Sequence, residues 1–261
     1  MRITDARTGR HSEIRPRRTG LLRVTVDVGE RGRPFRLDDL RALLVGDVLA
    51  RTCETHGLQV LTELAVPNGS GDPDGPDEQL RALRIAADRL GIHPPAHQHA
   101  RADAQDRPVA DLAVTSRPDA DPEPSAAVLL LTGPVAEDLP TPALTPEDDP
   151  LALRLALLEH AVTAPVRLTA GTLADAAEKL TRWRALVADL ASMPSGAPEA
   201  DMVQASFDGL DEDLDARVAL RALDALEART DLSPGTRFET FVRLDQVLAL
   251  ELGRDIGRGP H

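Results

Sequence analysis

The sequence predicts an α/β half built on a parallel sheet over residues 1–149, followed by an α-helical bundle over residues 150–261. Three observations predict this fold class. A strand–helix–strand pattern fills residues 21–66, prolines and glycines separate most segments, and apolar residues after Pro150 recur at helical spacing. Strands mixed with helices in one half and helices alone in the other half are typical of an α/β domain joined to a bundle.

The first half begins with residues 21–28, where alternating β-branched residues predict a strand. Residues 37–56 carry apolar residues at helical spacing, and Gly57 is a typical helix stop before a second predicted strand at 58–66. A strand–helix–strand unit of this length should be parallel and right-handed. Another helix is predicted at 78–90, where Gly91 and two prolines end it.

Patterns are weaker between residues 92 and 149, which are rich in proline and aspartate. Short strands are predicted at 109–115 and 126–132, joined by loops. Beyond residue 150 the spacing predicts helices at 151–163, 171–191, 199–208, 213–230 and 236–252.

The charge balance argues against a nucleic-acid-binding surface. The 261 residues include 30 basic and 43 acidic ones, a formal net charge of −13, whereas affinity for nucleic acid is mostly electrostatic. Arginines nevertheless crowd the N-terminal segment. They are interpreted as a solvated arm, with a local basic patch as the alternative: Arg15, Arg17, Arg18, Arg23, Arg31, Arg33 and Arg36.

Cysteine count and hydropathy limit the chemistry further. Cys53 is the single cysteine, so neither an intrachain disulfide nor a zinc site built on several thiolates can form. No apolar run of about 18 residues occurs, and the start of the chain lacks the apolar core of a signal peptide. We therefore expect a cytoplasmic protein without a membrane partner.

Four blocks, spread over more than half of the chain, resemble segments of cysteinyl-tRNA synthetases and occur in the same order. They are 44–51 with 57–60, 90–95 with 101–102, 151–158 with 164–168, and 213–215 with 219–223. The ligase that joins cysteine to glucosaminyl-inositol, from the same class I aminoacyl-tRNA synthetase superfamily, fits almost as well. The resemblance implies a truncated, degenerate Rossmann-like catalytic domain at 1–149 and a stem-contact or anticodon-binding-like bundle at 150–261.

The family's His-Ile-Gly-His motif is replaced in this chain. Counting back from Asp47 without gaps places it on Arg36, Leu37, Asp38 and Asp39. In the family the histidines meet ATP phosphate at a helix N-terminus, which favours negative charge. Aspartates there cap a helix well but repel a triphosphate. We therefore expect helix caps, with a metal-bridged phosphate role as the alternative.

Two further parts of the family's chemistry are expected to be missing. The strand cysteine that helps hold the family's zinc corresponds to about Asp27. The Lys-Met-Ser-Lys-Ser loop should fall within 131–145, where Glu137 and Asp138 replace cations, and the single lysine, Lys179, lies in a predicted helix. Each electrostatic donor of this kind is worth about 2.7–4 kcal/mol to catalysis. No catalytic residue is therefore assigned.

The strongest remaining constellation is a group of histidines, His93, His97 and His99, followed by Asp103. In an extended segment the rings of His97 and His99 point the same way, and with a carboxylate they could bind Zn²⁺. The segment is flanked by prolines, so hydrogen-bonded loop histidines are the simpler interpretation. No cofactor is predicted; Zn²⁺ here, and ATP with Mg²⁺ near Arg36, stay open.

The last predicted helix carries a wide apolar stripe, explained by a bundle core or by contact with a second copy or a protein partner: Phe238, Phe241, Leu244, Val247, Leu248, Leu250 and Leu252. The favoured function is a non-catalytic paralogue, a pseudoenzyme, that acts as a binding or regulatory module. One alternative is an adenylate-forming ligase or nucleotide-binding protein that uses the N-terminal arginines. The other is an RNA or tRNA binder, which the acidity disfavours.

Overall fold

The computed structural model describes residues 1–30, 33–67, 75–100, 108–118, 126–138 and 149–258. The chain divides into two compact units. Unit 1 comprises Met1–Ala136, Val162–Val166 and Glu212–Leu214, and unit 2 comprises Glu137–Ala161, Arg167–Asp211 and Asp215–His261. The domain boundary at 149/150 and the roles attached to the two domains stay predictions.

Unit 1 is built on a five-stranded parallel sheet, which confirms the predicted fold class. Its strand order is β5-β4-β3-β6-β7, and a separate antiparallel pair, β1 with β2, precedes it. The elements in chain order are β1 Arg2–Asp5, β2 Arg10–Glu13, β3 Leu21–Asp27, α1 Leu37–Thr55, β4 Gln59–Val66, α2 Gly75–Arg89, β5 His97–Ala100, β6 Leu112–Thr115 and β7 Val128–Leu131.

The two glycine stops predicted from the sequence end α1 and α2. Gly57 and Gly91 adopt left-handed backbone angles, with φ of 77° and 66°. After α1 the amide of Leu58 donates to the carbonyl of Cys53 at 3.1 Å. After α2 the amide of Ile92 donates to the carbonyl of Ala87 at 3.0 Å. These bonds satisfy carbonyls at the helix ends, so the chain turns into the next strand.

The segment His97–Ala100 is an edge strand, where the sequence predicted a loop. Its residues are polar, and the apolar alternation that identifies a strand is missing. The pairing comes from the neighbouring strand instead: β5 runs parallel to β4, with Glu63 opposite His97. Because an edge strand needs one partner and no continuous apolar face, local sequence gave no signal for it.

A close contact between α1 and β3 explains the glycine in the middle of the helix. A Cβ atom at Gly46 would lie 2.7 Å from Cγ2 of Val26, well inside van der Waals contact. Any side chain at this position would push the helix away from the sheet.

The variant Gly46→Ala is therefore expected to lower the free energy of unfolding by about 1–3 kcal/mol, although alanine favours helix. Urea denaturation followed by circular dichroism measures the change. Gly171→Ala is the matched control, since its Cβ would meet only Oγ1 of Thr169 at an ordinary 3.6 Å. Equal stability changes in the two variants would contradict the packing explanation.

Helices make up most of unit 2, again as predicted. They are α3 Pro150–Leu158, α4 Ala170–Leu190, α5 Ala200–Asp211, α6 Ala216–Ala228 and α7 Pro234–Leu248. Two short strands, β8 Val135–Asp138 and β9 Val166–Thr169, pair with each other. Neither strand was predicted from the sequence. Helix α6 begins three residues later than predicted because Asp213 and Leu214 have φ of 54° and 55°, outside the helical region.

Buried arginines fix the chain that follows α7. Nε of Arg154 donates to the carbonyl of Leu248 at 2.6 Å. The guanidinium of Arg184 donates to the carbonyls of Leu250 and Glu251 at 2.7 and 3.2 Å and forms an ion pair with Asp149. Burial raises the pKa of the Asp149 carboxyl, but the Arg184 bond and charge outweigh it, so that pKa lies below its ordinary value.

The apolar stripe of the last helix forms part of the core of unit 2. Phe241, Leu244 and Val247 are buried, as are Leu248, Leu250 and Leu252 that follow, whereas Phe238 is half-buried. Contact with a partner through this helix stays a prediction. Within the described residues, no helix has the length and apolar character needed to cross a membrane.

Candidate functional site

The centre of the sheet in unit 1 contains the point where ligands bind in open α/β folds. Strand β3 pairs with β4 on one side and with β6 on the other, so the chain connections diverge between β3 and β6. In such sheets the crevice outside the carboxyl ends of these strands is the usual ligand site. Asp27 ends β3 at this crevice, and the N-terminus of α1 follows it.

Asp39 lies buried in the first turn of α1 and binds two backbone amides that precede the helix. Its carboxylate accepts hydrogen bonds from the amides of Gly29 at 2.6 Å and Arg36 at 2.9 Å, and a long one of 3.5 Å from Oγ of Ser116. Burial raises the pKa of Asp39, and the two amide bonds oppose that shift. A carboxylate of the protein thus lies at the helix N-terminus, where an anionic ligand would otherwise be favoured.

The carboxylate of Asp38 binds a backbone amide of a distant segment of unit 1. Its Oδ1 accepts a hydrogen bond of 2.5 Å from the amide of Val135, at the start of β8. Nε of Arg36 lies 3.8 Å from the other oxygen, Oδ2 of Asp38, and the Arg36 side chain is 63% exposed. Of the three residues predicted at the former nucleotide site, two carboxylates are engaged within unit 1 and the arginine faces solvent.

An ion pair between Arg117 and Asp27 lies across the crevice, joining the ends of β6 and β3. The side chains are only 20% and 11% exposed. Arg117 was not predicted as a site residue, although a cation two residues after a buried strand can indicate a site at the end of the sheet. A carboxylate that resembles a zinc-ligand position in the family is therefore paired with a guanidinium.

Arg41 lies in α1, about one helical turn after Asp38, and is fully buried. The sequence did not predict it as a site residue. Its guanidinium donates to the carbonyls of Gly133 and Ala164, both at 2.7 Å. Burial lowers the pKa of Arg41 to about 10, so the group is still cationic at neutral pH. This cation binds two backbone carbonyls of the 133–135 and 162–166 segments.

The arginine-rich N-terminal arm is largely neutralised by nearby carboxylates. Arg33, for example, pairs with Glu30 at 2.6 Å. The other ion pairs of the arm are Arg15 with Glu13, Arg17 with Asp111, Arg23 with Glu63 and Arg36 with Asp38. Arg31 lies outside the described residues. This pairing weakens the case for an anion-binding surface here.

The candidate zinc ligands do not form a cluster in the part of the chain that the structure describes. His97 and His99 both lie on β5, and no group of three histidine, cysteine or acidic side chains suits a metal ion among the described residues. The backbone amide of His93 donates to Asp47 at 3.1 Å. Asp103, the predicted fourth member, lies outside the described residues.

The single lysine has a structural environment in unit 2. Lys179 lies in α4, with its ammonium group 2.7 Å from Glu159, 3.6 Å from Asp224 and 5.6 Å from the ring centre of Trp183. Two carboxylates and the face of an indole ring thus stabilise the ammonium charge.

Of the predicted loop segment 131–145, residues 139–145 and the side chain of Asp138 lie outside the described part.

Several curated proteins share sequence with part of this chain. All three relatives considered are L-cysteine:1D-myo-inositol 2-amino-2-deoxy-alpha-D-glucopyranoside ligases. The ligase of Parafrankia sp. (strain EAN1pec) is 38% identical over 123 residues, 42% of this chain and 26% of the ligase. That of Frankia casuarinae is 44% identical over 77 residues, 30% and 16% of the two chains. That of Streptomyces scabiei is 42% identical over 88 residues, 34% and 20%.

These alignments span 26% or less of each relative's length, and no family model matches the chain. Solved structures extend the comparison to the fold. A protein described as an arginyl-tRNA synthetase from Campylobacter jejuni superposes with a TM-score of 0.54 at 8% identity, over 89% of this chain and 91% of that one. The arginyl-tRNA synthetase of Thermus thermophilus gives 0.54 at 11%, over 92% and 82%.

The chain resembles the cysteine ligases in sequence over part of its length and the arginyl-tRNA synthetases in fold. The predicted resemblance to the class I synthetase superfamily is thereby confirmed. The arginyl-tRNA synthetases share the fold alone at these identities. The relationship of the synthetase-like chain to the cysteine ligases comes from sequence and covers part of each protein.

Proposed function

We propose that this synthetase-like protein is non-catalytic and acts as a binding or regulatory module. The observation that carries the proposal is the state of the crevice between β3 and β6. There Asp39 accepts the amides of Gly29 and Arg36, and Arg117 is paired with Asp27. A nucleotide would have to displace both interactions, and it would approach two carboxylates at the helix N-terminus.

Electrostatics supports the same proposal. Adenylate formation requires fixed positive groups around the phosphates, and loss of a single transition-state donor costs about 10²–10³ in kcat. In the described part of unit 1, Arg41 is bound to two carbonyls, and Arg23 and Arg33 of the N-terminal arm have carboxylate partners. Several donors would therefore have to be recovered at once for turnover.

The test is amino-acid-dependent exchange between ATP and pyrophosphate, with each of the standard amino acids. We expect no exchange above the rate without protein, whereas the cysteine ligase of Streptomyces scabiei, assayed in parallel with cysteine, should exchange. Calorimetric titration with ATP and Mg²⁺ should give no saturable heat, which corresponds to a dissociation constant weaker than about 1 mM.

Exchange above the rate without protein, or saturable binding of ATP, would support the alternative, a ligase or nucleotide-binding protein. In that case Arg36→Gln should abolish the signal, since an exposed arginine at the α1 N-terminus can bind phosphate in a bidentate manner. Arg33→Gln is the matched control, an exposed arginine of the same arm that pairs with Glu30. ATP binding that depends on Arg36 and not on Arg33 would overturn the non-catalytic proposal.

A further inference from the structure

A second depression in unit 1, here called the α2 cavity, lies on the β4–β5 side of the sheet. It is bounded by α1, α2, β4 and the segment 92–98, and it encloses about 440 Å³, within the roughly 300–1,000 Å³ of small-molecule sites. Its floor is apolar and formed by Leu43, Leu64, Leu83, Ala87 and Ile92. All five residues are buried, so the small surface that they leave exposed in the cavity is apolar and suits an apolar ligand group.

The rim of the α2 cavity carries a guanidinium that has no ion-pair partner among the described residues. Arg84 is exposed and donates a hydrogen bond to Oε1 of Gln98, a neutral acceptor. Across the described residues, no carboxylate lies within ion-pair distance of Arg84, and Asp88 on the next turn of α2 is likewise without a cationic partner. His97 completes this side of the rim. A planar guanidinium beside an apolar floor suits a carboxylate with an apolar body.

The opposite wall is held rigidly by the motif that the sequence shares with the synthetases. Arg51 pairs with Asp47 at 2.9 Å and donates to the carbonyl of Gly91 at 3.0 Å. The His93 amide donates to Asp47 at 3.1 Å, and its ring Nε2 lies 3.2 Å from the Arg51 guanidinium. These bonds fix the 91–95 turn in place before any ligand arrives, which lowers the entropic cost of binding.

We propose that the α2 cavity binds a small organic acid, with its apolar body on the floor and its carboxylate on Arg84. The Gln98 side-chain amide supplies a further hydrogen-bond donor at the rim. Asp88 selects for acids that also carry an amino group within reach of its carboxylate. The site is separate from the β3–β6 crevice, so it does not depend on whether that crevice binds nucleotide.

Calorimetric titration of the full chain with 4-phenylbutyrate tests the site, and 4-phenylbutyramide is the uncharged probe of nearly equal shape. We expect saturable binding of the acid with a dissociation constant on the order of 1 mM or below. The amide should bind at least about tenfold more weakly, because it cannot form an ion pair with Arg84. Absence of saturable binding of the acid, or equal affinity for the amide, would overturn the proposal.

Two variants of α2 separate a specific site from general attraction to basic surface. Arg84→Gln should weaken 4-phenylbutyrate about tenfold, whereas Arg81→Gln, an exposed arginine of the same helix outside the cavity lining, should not. Both changes lie on the surface, so folding is expected to be unaffected. If the two variants weaken binding equally, the carboxylate is not held by Arg84 and the assignment fails.

Asp88 has its own readout. L-homophenylalanine differs from 4-phenylbutyrate by one amino group. The variant Asp88→Asn should weaken L-homophenylalanine about tenfold and leave 4-phenylbutyrate unchanged. Equal effects on the two acids would show that Asp88 does not bind the amino group. The role of Arg84 is tested separately by the Arg84→Gln variant.

Discussion

Replacing Arg184 by alanine is expected to lower the free energy of unfolding by about 3–5 kcal/mol, because two carbonyls lose their donor at about 1–3 kcal/mol each and a buried side chain is removed. The Arg184 residue is 2% exposed. Its loss would leave the carbonyls of Leu250 and Glu251 without this donor, whereas Asp149 would keep its ion pair with Arg254 at 2.9 Å. Since these bonds fix the segment after α7, the part of that segment that contains Leu250 and Glu251 should detach from α4.

Urea unfolding measures this loss, followed by the fluorescence of Trp183, the single tryptophan, which is fully buried in the same helix. Arg182→Ala is the matched control two residues away. Its side chain is 45% exposed and pairs with Glu227 at 3.1 Å, so a loss of about 0–1 kcal/mol is expected. Similar losses in the two variants would show that the buried arginine does not hold the C-terminal segment.

The second large effect is expected for Arg41→Met in unit 1. Methionine fills a similar volume but donates no hydrogen bond, so the carbonyls of Gly133 and Ala164 lose their donor. Each buried unsatisfied carbonyl costs about 1–3 kcal/mol, and removal of a desolvated cation offsets part of that cost. The net expectation is a loss of about 2–4 kcal/mol.

Native-state hydrogen exchange distinguishes this mechanism from general destabilisation. The amides of Gly133 and Val166 donate to Val162 and Pro134, both at 2.8 Å, and their protection should fall more than that of amides in β3 and β4. The same substitution at Arg36, whose side chain is exposed, is the control and should stay within about 0.5 kcal/mol of the parent. Uniform loss of protection across the sheet would argue against a local role for Arg41.

Much of the fold in unit 1 was predictable because its signals are local. The alternation of Leu21 to Asp27 and the helical spacing that begins at Leu37 lie within single elements, and Gly57 and Gly91 mark the ends of α1 and α2. Parallel pairing of β3 with β4 followed from the handed crossover rule. The β5 and β9 strands were missed because their identity depends on a partner strand far away in sequence.

The candidate site was predictable in its residue types and not in its partners. The sequence shows carboxylates where the family has histidines, which is enough to expect caps at the start of α1. The donor that Asp38 binds, the amide of Val135, is 97 residues away, and Arg117 lies 90 residues from Asp27. No local pattern specifies such pairs, because side-chain contacts at the carboxyl ends of the strands depend on which distant loops come together there.

By itself the sequence determined the order and type of the main helices and strands, the net negative charge and the presence of carboxylates at the start of α1. Each of these depends on neighbouring residues or on composition. Only the tertiary structure decided that Asp39 binds the amides of Gly29 and Arg36, that Arg41 is a buried cation, that Arg117 pairs with Asp27, and that Arg84 borders an apolar cavity. The physical reason is that burial and pairing of charge arise when segments distant in sequence pack together, and they change the role of a residue whose identity was known from the start.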